Sequence, residues 1–180
     1  MQVQRRQLLR FGLGAAAAAG LGAPATQALA ALGGGRELTF RNLHTGESLT
    51  AAYWEAGRYV PDALDAVNEV LRDHRTGEVH AIDPQLLDLL SGLAGKLEAR
   101  PRFQVISGYR SPASNAKLHA KSSGVATRSL HMQGKAIDIR MGGVELANLR
   151  RAALGLRAGG VGYYPSSDFV HVDTGRVRQW

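Results

Sequence analysis

Alternation of apolar and polar residues marks the strands of this chain of 180 residues. Side chains along a strand point alternately to its two faces, so a period of two predicts a strand with one buried face. The first two such segments flank His44-Thr45-Gly46, which predicts a hairpin. The segments with this pattern are 37–43, 47–54, 102–106, 135–140, 160–164 and 168–173.

Helical periodicity fills the segments between these strands. One helix is predicted to begin at Pro61 and to end near Gly77, and a second has Asp83 as its N-cap and Pro84 in its first turn. The second helix carries a stripe of leucines that we expect to be buried: Leu86, Leu87, Leu90, Leu93 and Leu97. The remaining predicted helices span 113–120, directly after Ser111-Pro112, and 144–157.

The order of these elements favours an α+β fold. The connection between the last two predicted strands is short, and only antiparallel neighbours can be joined in that way. The predicted order along the chain is two strands, two helices, a strand, a helix, a strand, a helix and two strands. We therefore predict a small antiparallel sheet with flanking helices.

The N-terminal segment has the features of an export signal. Arg5 and Arg6 precede an apolar run rich in alanine and glycine, and Ala28-Leu29-Ala30 offers a cleavage site of small residues. The paired arginines predict the twin-arginine route. A membrane anchor is the alternative, but the apolar run at 11–23 is short for a bilayer core of about 30 Å. We predict a signal at 1–30, a flexible joint at 31–36, a domain at 37–180 and an exported or periplasmic protein.

Charge and cysteine content narrow the possible chemistry. The formal net charge is +7, and loss of residues 1–30 would remove three arginines and no acid. The remaining basic excess suits an anionic polymer, but basic residues are not clustered or interleaved with aromatic ones, so we expect no nucleic-acid partner. The chain has no cysteine, so any metal must be held by histidine and carboxylate.

Two short stretches near the C-terminus could hold a metal. On the predicted strand 135–140, Asp138 lies on the face opposite the isoleucines, and His171 lies opposite the valines of the last strand. His131 precedes the first of these strands, and Gly134 lets the backbone turn between them. Two imidazoles and one carboxylate leave one position of a tetrahedral zinc site open, as catalytic sites do. From the pattern alone, ordinary surface or turn-capping roles for these residues stay open.

The same stretches carry a family resemblance. Ser129-x-His131-x-x-Gly134-x-Ala136-x-Asp138, with His171 on a later strand and Ser107-Gly-Tyr-Arg-Ser111 upstream, resembles the zinc D-Ala-D-Ala carboxypeptidase, lysostaphin and hedgehog superfamily. Gly159-Gly-Val-Gly-Tyr-Tyr-Pro165 and Phe169-Val-His-Val-Asp-Thr-Gly175 resemble more narrowly its YcbK-like branch of exported murein endopeptidases. The resemblance extends from about residue 36 to residue 180.

This resemblance implies a function and a set of roles. Zinc is expected on His131, Asp138 and His171, and the expected reaction is hydrolysis of an amide in the peptide part of peptidoglycan. Arg110 corresponds to an arginine near the substrate or the developing oxyanion, and Ser129 to a small polar residue that contacts the peptide. Whether the enzyme acts as an endopeptidase or a carboxypeptidase, and on which crosslink, stays open, as does the oligomeric state.

The general base is less well defined. Many relatives carry a histidine two residues before the last ligand or a glutamate three before it, where this chain has Phe169 and Asp168. Asp173 shares a strand face with His171 and is the preferred candidate, either as proton acceptor or as the partner that orients His171. Asp168 is the second candidate, although it is expected on the opposite face. His119 is expected at the surface.

Two other functions compete with hydrolysis. The uncertain general base fits a non-catalytic module that binds zinc and cell wall. His171-Val-Asp173 also matches part of the two-histidine, one-carboxylate triad of non-haem iron oxygenases, but no histidine follows it in the chain.

Overall fold

The computed structural model describes residues 34–122 and 124–180. The predicted export signal lies outside the described residues, and so does the first half of the predicted joint. The rest of that joint leads directly into the first strand at Arg36.

The described residues form strands and helices close to the predicted ones. The strands are β1 (Arg36–Asn42), β2 (Ser48–Glu55), β3 (Arg58–Tyr59), β4 (Arg102–Ser107), β5 (Ala136–Arg140), β6 (Gly160–Tyr164), β7 (Phe169–Asp173) and β8 (Arg178–Gln179). The helices are α1 (Pro61–Val70), α2 (Pro84–Lys96), α3 (Pro112–Lys121) and α4 (Leu146–Leu156), with 3-10 turns at Leu130–Gln133 and Pro165–Ser167. None of the helices in this part of the chain combines the length and apolar character needed to cross a membrane.

All the described strands join one mixed sheet in the order β3-β2-β1-β4-β5-β7-β6-β8. The α+β class is confirmed, but the prediction of a small antiparallel sheet is wrong. β4 pairs parallel to β1 because α1 and α2 form the long crossover that returns the chain beside β1 in the same direction. β8 likewise pairs parallel to β6. β3 and β8 have two residues each, too few to show alternation in the sequence.

One face of the sheet packs against α2 and α4 to form the core. Of the predicted leucine stripe, Leu86, Leu87, Leu90 and Leu93 are fully buried, and Leu97 packs at its edge. Asp83 caps α2 as predicted, accepting a hydrogen bond of 3.0 Å from the Gln85 N–H. The opposite face of the central strands carries polar side chains, which leaves that face available for a site.

α1 ends at Val70 rather than near Gly77, because the following residues bind another part of the fold. The Leu71 carbonyl accepts a hydrogen bond from the Tyr109 N–H (2.8 Å). Asp73 is fully buried and accepts hydrogen bonds of 2.9 Å each from the N–H groups of Ser111 and Arg75. This turn therefore supports the segment from Ser107 to Ser111, which connects β4 to α3.

We predict that Asp73→Ala lowers the free energy of unfolding by about 1–3 kcal/mol, because it leaves buried N–H groups without an acceptor. Burial alone would raise the pKa of Asp73, but hydrogen bonds from Ser114, Ser111 and backbone N–H groups hold it below its ordinary value. The stabilisation is thus complete above the unfolded-state pKa of about 3.9 and is lost as the pH falls towards the lower folded-state pKa.

Chemical denaturation at several pH values measures this effect, with Asp65→Ala on the exposed face of α1 as the control. The gap in stability between wild type and Asp73→Ala should shrink below about pH 4. Equal free energies of unfolding for Asp73→Ala and Asp65→Ala at neutral pH would contradict the role of this turn in supporting the segment from Ser107 to Ser111.

Candidate metal centre

The antiparallel pairing of β5 with β7 brings the first two candidate ligands together. Asp138 lies directly opposite His171 in the register of the two strands. Ile137 lies opposite Val172, and Ile139 opposite Val170, with all four side chains buried in the core. The apolar residues thus fix the register, and a slip of one residue would turn the whole set to the wrong face.

His131 reaches the same point from a short 3-10 turn. Ser129 caps this turn through its hydroxyl, which accepts a hydrogen bond of 3.4 Å from the His131 N–H. Gly134 ends the turn with a φ of 65°, a left-handed conformation that disfavours other residues. The chain then enters β5, so the turn holds the imidazole of His131 over Asp138.

Three potential ligand atoms converge at this place. His131 Nε2 lies 3.2 Å from His171 Nδ1 and 3.3 Å from Asp138 Oδ1, and the last two atoms are 2.9 Å apart. All three residues are buried. In the described part of the chain, no other group of three histidine or acidic residues has its ligand atoms gathered in this way.

The outer nitrogen of each imidazole is already bound. His131 Nδ1 lies 2.7 Å from the Gly108 carbonyl oxygen, and His171 Nε2 lies 3.0 Å from Asp173 Oδ2. Both partners are acceptors, so in the neutral form of each ring the outer nitrogen carries the hydrogen and the inner nitrogen keeps its lone pair. The lone pairs of the inner nitrogens then point to the same place as Asp138 Oδ1, which is the arrangement that a divalent cation requires.

The electrostatics of the cluster also favour a positive charge. Burial alone would raise the pKa of Asp138, but the two imidazoles hold it below its ordinary value. Burial alone would lower the pKa of His171, but Asp138 and Asp173 raise it above its ordinary value. The buried Asp138 carboxylate therefore favours a cation at the converging atoms, and two nitrogens with one oxygen form a donor set that fits zinc.

Asp173 lies behind His171, on the side away from the three converging atoms. It is fully buried, and its oxygens accept hydrogen bonds from Arg178 and from the N–H groups of Gly160 and Gly175 as well as from His171. Burial alone would raise its pKa, but these donors hold the pKa below its ordinary value. Asp173 is thus an ionised carboxylate whose oxygens are all occupied.

The second candidate base, Asp168, is exposed and pairs with Arg140. Neither Asp168 nor Asp173 lines the groove above the three converging atoms. Among the described residues that do line it, Asp138 is the sole carboxylate. His119 is exposed, as its helix position predicts, and its ring nitrogen Nδ1 lies 2.6 Å from the Val125 carbonyl.

Arg110 is nine-tenths buried next to the cluster and has few partners. Its NH2 lies 3.6 Å from Asp138 Oδ2 and 3.4 Å from Ser107 Oγ, its NH1 lies 3.5 Å from Asn115 Oδ1, and its Nε has no hydrogen-bond partner. Burial lowers the pKa of the guanidinium, against the opposing effect of Asp138. A buried guanidinium with unused donors is suited to an anionic ligand.

The groove has a volume of about 380 Å³ and a basic, aromatic wall. Ser129 and Arg110, for which the family resemblance implies substrate contacts, both line it. Sequence reasoning missed several other lining residues, namely Arg128, Tyr164, Arg178 and Trp180. Arg178 and Trp180 belong to the C-terminal segment around β8, which is too short to show a pattern, so the sequence offered no signal for them.

Comparison with known proteins identifies the family. The model of the family described as "Peptidoglycan L,D-endopeptidase MepK" matches residues 30–180. The chain belongs to this family. The MepK proteins of Escherichia coli K12 and Shigella flexneri are each 47% identical over 176 residues, which cover 98% of this chain and 96% of theirs. A protein of Haemophilus influenzae, named a probable MepK, is 46% identical over 146 residues, covering 81% of this chain and 78% of its own. No solved structure matches the chain.

Family membership confirms the resemblance to murein endopeptidases that the motifs indicated. The chain is a peptidoglycan endopeptidase by family, and its three converging side chains provide a centre that fits a metal. The expected substrate is therefore the peptide part of peptidoglycan.

We predict that Gly134→Ala destabilises the fold and weakens metal binding more than Gly143→Ala does. Both glycines have a positive φ, but only at Gly134 would a Cβ overlap another group, the Ala81 carbonyl; at Gly143 the space is open. The left-handed conformation should cost alanine about 1–2 kcal/mol at either position. The overlap adds to this only at Gly134, where it displaces the turn that carries His131.

Thermal unfolding and zinc titration of both variants measure the difference. Equal melting temperatures and equal zinc affinities would show that the close approach at Gly134 does not position His131.

Proposed function

We propose that this protein is a zinc-dependent L,D-endopeptidase that hydrolyses amide bonds in the peptide crosslinks of peptidoglycan. The observation that carries the proposal is the convergence of His131 Nε2, Asp138 Oδ1 and His171 Nδ1, with the outer nitrogen of each imidazole bound to an acceptor. The L,D specificity is supported by the names of the relatives, which are L,D-endopeptidases.

His131, Asp138 and His171 would hold the zinc ion. When bound, zinc polarises a carbonyl group and lowers the pKa of water to about 7, which is the chemistry that amide hydrolysis at neutral pH needs. The three residues are buried on rigid elements, so their atoms are held in place before a metal or a substrate binds.

Arg110 would stabilise negative charge on the substrate. Its guanidinium lies beside Asp138 and lines the groove, and its Nε has no partner among the described residues, so its donors are not fully used. Preorganised donors stabilise a developing oxyanion without further rearrangement, which lowers the barrier to hydrolysis. Ser129 lines the groove next to His131 and would contact the peptide.

Asp173 would orient His171 rather than accept a proton from the reacting water. Its carboxylate binds the outer nitrogen of His171 and is saturated by other donors, and its pKa is held low. A carboxylate in this position fixes the tautomer and the orientation of a metal-binding imidazole.

The groove and the N-terminus support a substrate outside the cytoplasm. Arg110 and Arg128 line the groove, where they suit the carboxylates of peptidoglycan stems. Export through the twin-arginine route, directed by Arg5 and Arg6, would deliver the folded enzyme to the periplasm.

One observation favours a second function. Asp138 is the sole carboxylate among the described residues that line the groove, so no acidic group stands ready as a general base. A non-catalytic module that holds zinc and binds peptidoglycan would have the same residues in its groove: metal ligands and no general base.

We predict that His131→Ala and Asp138→Asn each weaken zinc binding and lower the release of muropeptides by at least about 100-fold, the upper end of the effect of losing an outer partner of a ligand. The first variant removes a ligand, and the second removes the negative charge that balances the metal. Treatment with a chelator should abolish activity, and added zinc should restore it. Metal analysis after dialysis and mass spectrometry of digested sacculi are the measurements, with His119→Ala as the control.

Full activity of Asp138→Asn would contradict the proposal. Cosedimentation of the wild-type protein with sacculi, without any released product, would favour the non-catalytic module instead.

We also predict that Arg110→Gln lowers kcat by about 100- to 1,000-fold while zinc content stays unchanged, because it removes the charged donor beside the reacting centre. Arg110→Lys should recover only part of the activity, since an ammonium cannot reproduce the planar donor set. Arg41→Gln, on the exposed end of β1, is the matched control. Wild-type kcat in Arg110→Gln would exclude this role for Arg110.

A further inference from the structure

The last strand, β8, places Arg178 next to the metal centre, in addition to Arg110. β8 pairs parallel to β6, with hydrogen bonds between the Tyr163 N–H and the Trp180 carbonyl (3.1 Å) and between the Trp180 N–H and the Val161 carbonyl (3.2 Å). This pairing holds Arg178 beside Asp173, although the two residues belong to different strands.

Arg178 binds the Asp173 carboxylate through two nitrogens. Its NH2 lies 2.7 Å from Oδ2, and its NH1 lies 3.0 Å from Oδ1. Such two-point pairs fix the plane of a carboxylate more firmly than one hydrogen bond does. Oδ2 is also the atom that binds His171 Nε2, so the position of the guanidinium determines where this acceptor lies.

Gly160 lies directly beside the Arg178–Asp173 pair, and the Trp180 ring packs over the guanidinium of Arg178. A Cβ at Gly160 would overlap both the Arg178 guanidinium and the Asp173 carboxylate, so a larger residue there would have to displace one of them. The Trp180 ring lies 4.8 Å from the Arg178 guanidinium, a favourable cation–π distance, and its Nε1–H donates a hydrogen bond of 2.7 Å to the Tyr164 hydroxyl. The indole ring also lies 5.2 Å from the His171 ring.

We propose that Arg178 is a positioning residue for the metal ligand His171, acting through Asp173. The proposal rests on the metal centre proposed above. Without Arg178, Oδ1 of Asp173 keeps the N–H groups of Gly160 and Gly175, but Oδ2 keeps only its contact with His171. The carboxylate can then rotate about Oδ1, which shifts the oxygen that orients the His171 imidazole. Nδ1 of His171 would then be less well oriented to hold the metal.

The test measures zinc affinity without substrate, by competition with a chromophoric chelator, in the purified protein. Arg178→Gln should weaken zinc binding by about 10- to 100-fold, the usual effect of removing an outer partner of a metal ligand. Arg178→Lys should weaken it less, because it keeps the charge but not the two-point geometry. Arg176→Gln, an exposed neighbour in the same segment, is the control and should bind zinc as the wild type does.

A second readout separates positioning from general stability. The visible spectrum of the cobalt-substituted protein reports the geometry around the metal, and it should change in Arg178→Gln and Arg178→Lys but not in Arg176→Gln. Asp173→Asn should weaken zinc binding as well, and the double variant Arg178→Gln/Asp173→Asn should be little worse than Asp173→Asn alone, because the two residues act in one chain of contacts.

Wild-type zinc affinity and an unchanged cobalt spectrum in Arg178→Gln, with a raised KM only, would overturn the proposal and assign Arg178 to substrate binding. Additive losses in the double variant would overturn it too. If Arg178→Gln does not fold, Arg178→Lys decides by the same two readouts. Failure of the wild-type protein to bind zinc would instead overturn the proposed function.

Discussion

The structure depends on the register between β5 and β7. The isoleucines and valines of these strands fill the core on one face, and this packing forces Asp138 and His171 to lie opposite each other on the other face. A slip of one residue would bury the ligands in the core and expose the apolar residues. The hydrophobic effect thus sets the geometry of a polar site in which no single hydrogen bond is strong enough to do so.

Around this pair, other parts of the chain hold the groups that complete the site. The turn after α1 supports the segment from Ser107 to Ser111, which provides both Arg110 and the Gly108 carbonyl that binds His131. β8 supports Asp173 from the opposite side through Arg178. The acceptors on the two outer nitrogens, the Gly108 carbonyl and Asp173, are thus supported by two different regions of the fold.

Much of the site could be predicted from the sequence because its ligands follow local rules. Strand alternation placed Asp138 and His171 on the polar face, and the motif placed His131 beside them. The groups missed were those that depend on long-range pairing. The parallel pairing of β1 with β4 and of β6 with β8 follows from a crossover and from a two-residue strand, neither of which leaves a periodic signal. The acceptor at Gly108 is a backbone carbonyl, which no side-chain pattern can reveal.

The most direct test of this metal centre is a crystal structure of the zinc-loaded protein, with the metal located by anomalous diffraction at the zinc edge. We predict one zinc ion bound by His131 Nε2, Asp138 and His171 Nδ1, with Asp173 still on His171 Nε2 and not on the metal. Zinc bound by His171 Nε2, by Asp173 or at another place in the chain would contradict it.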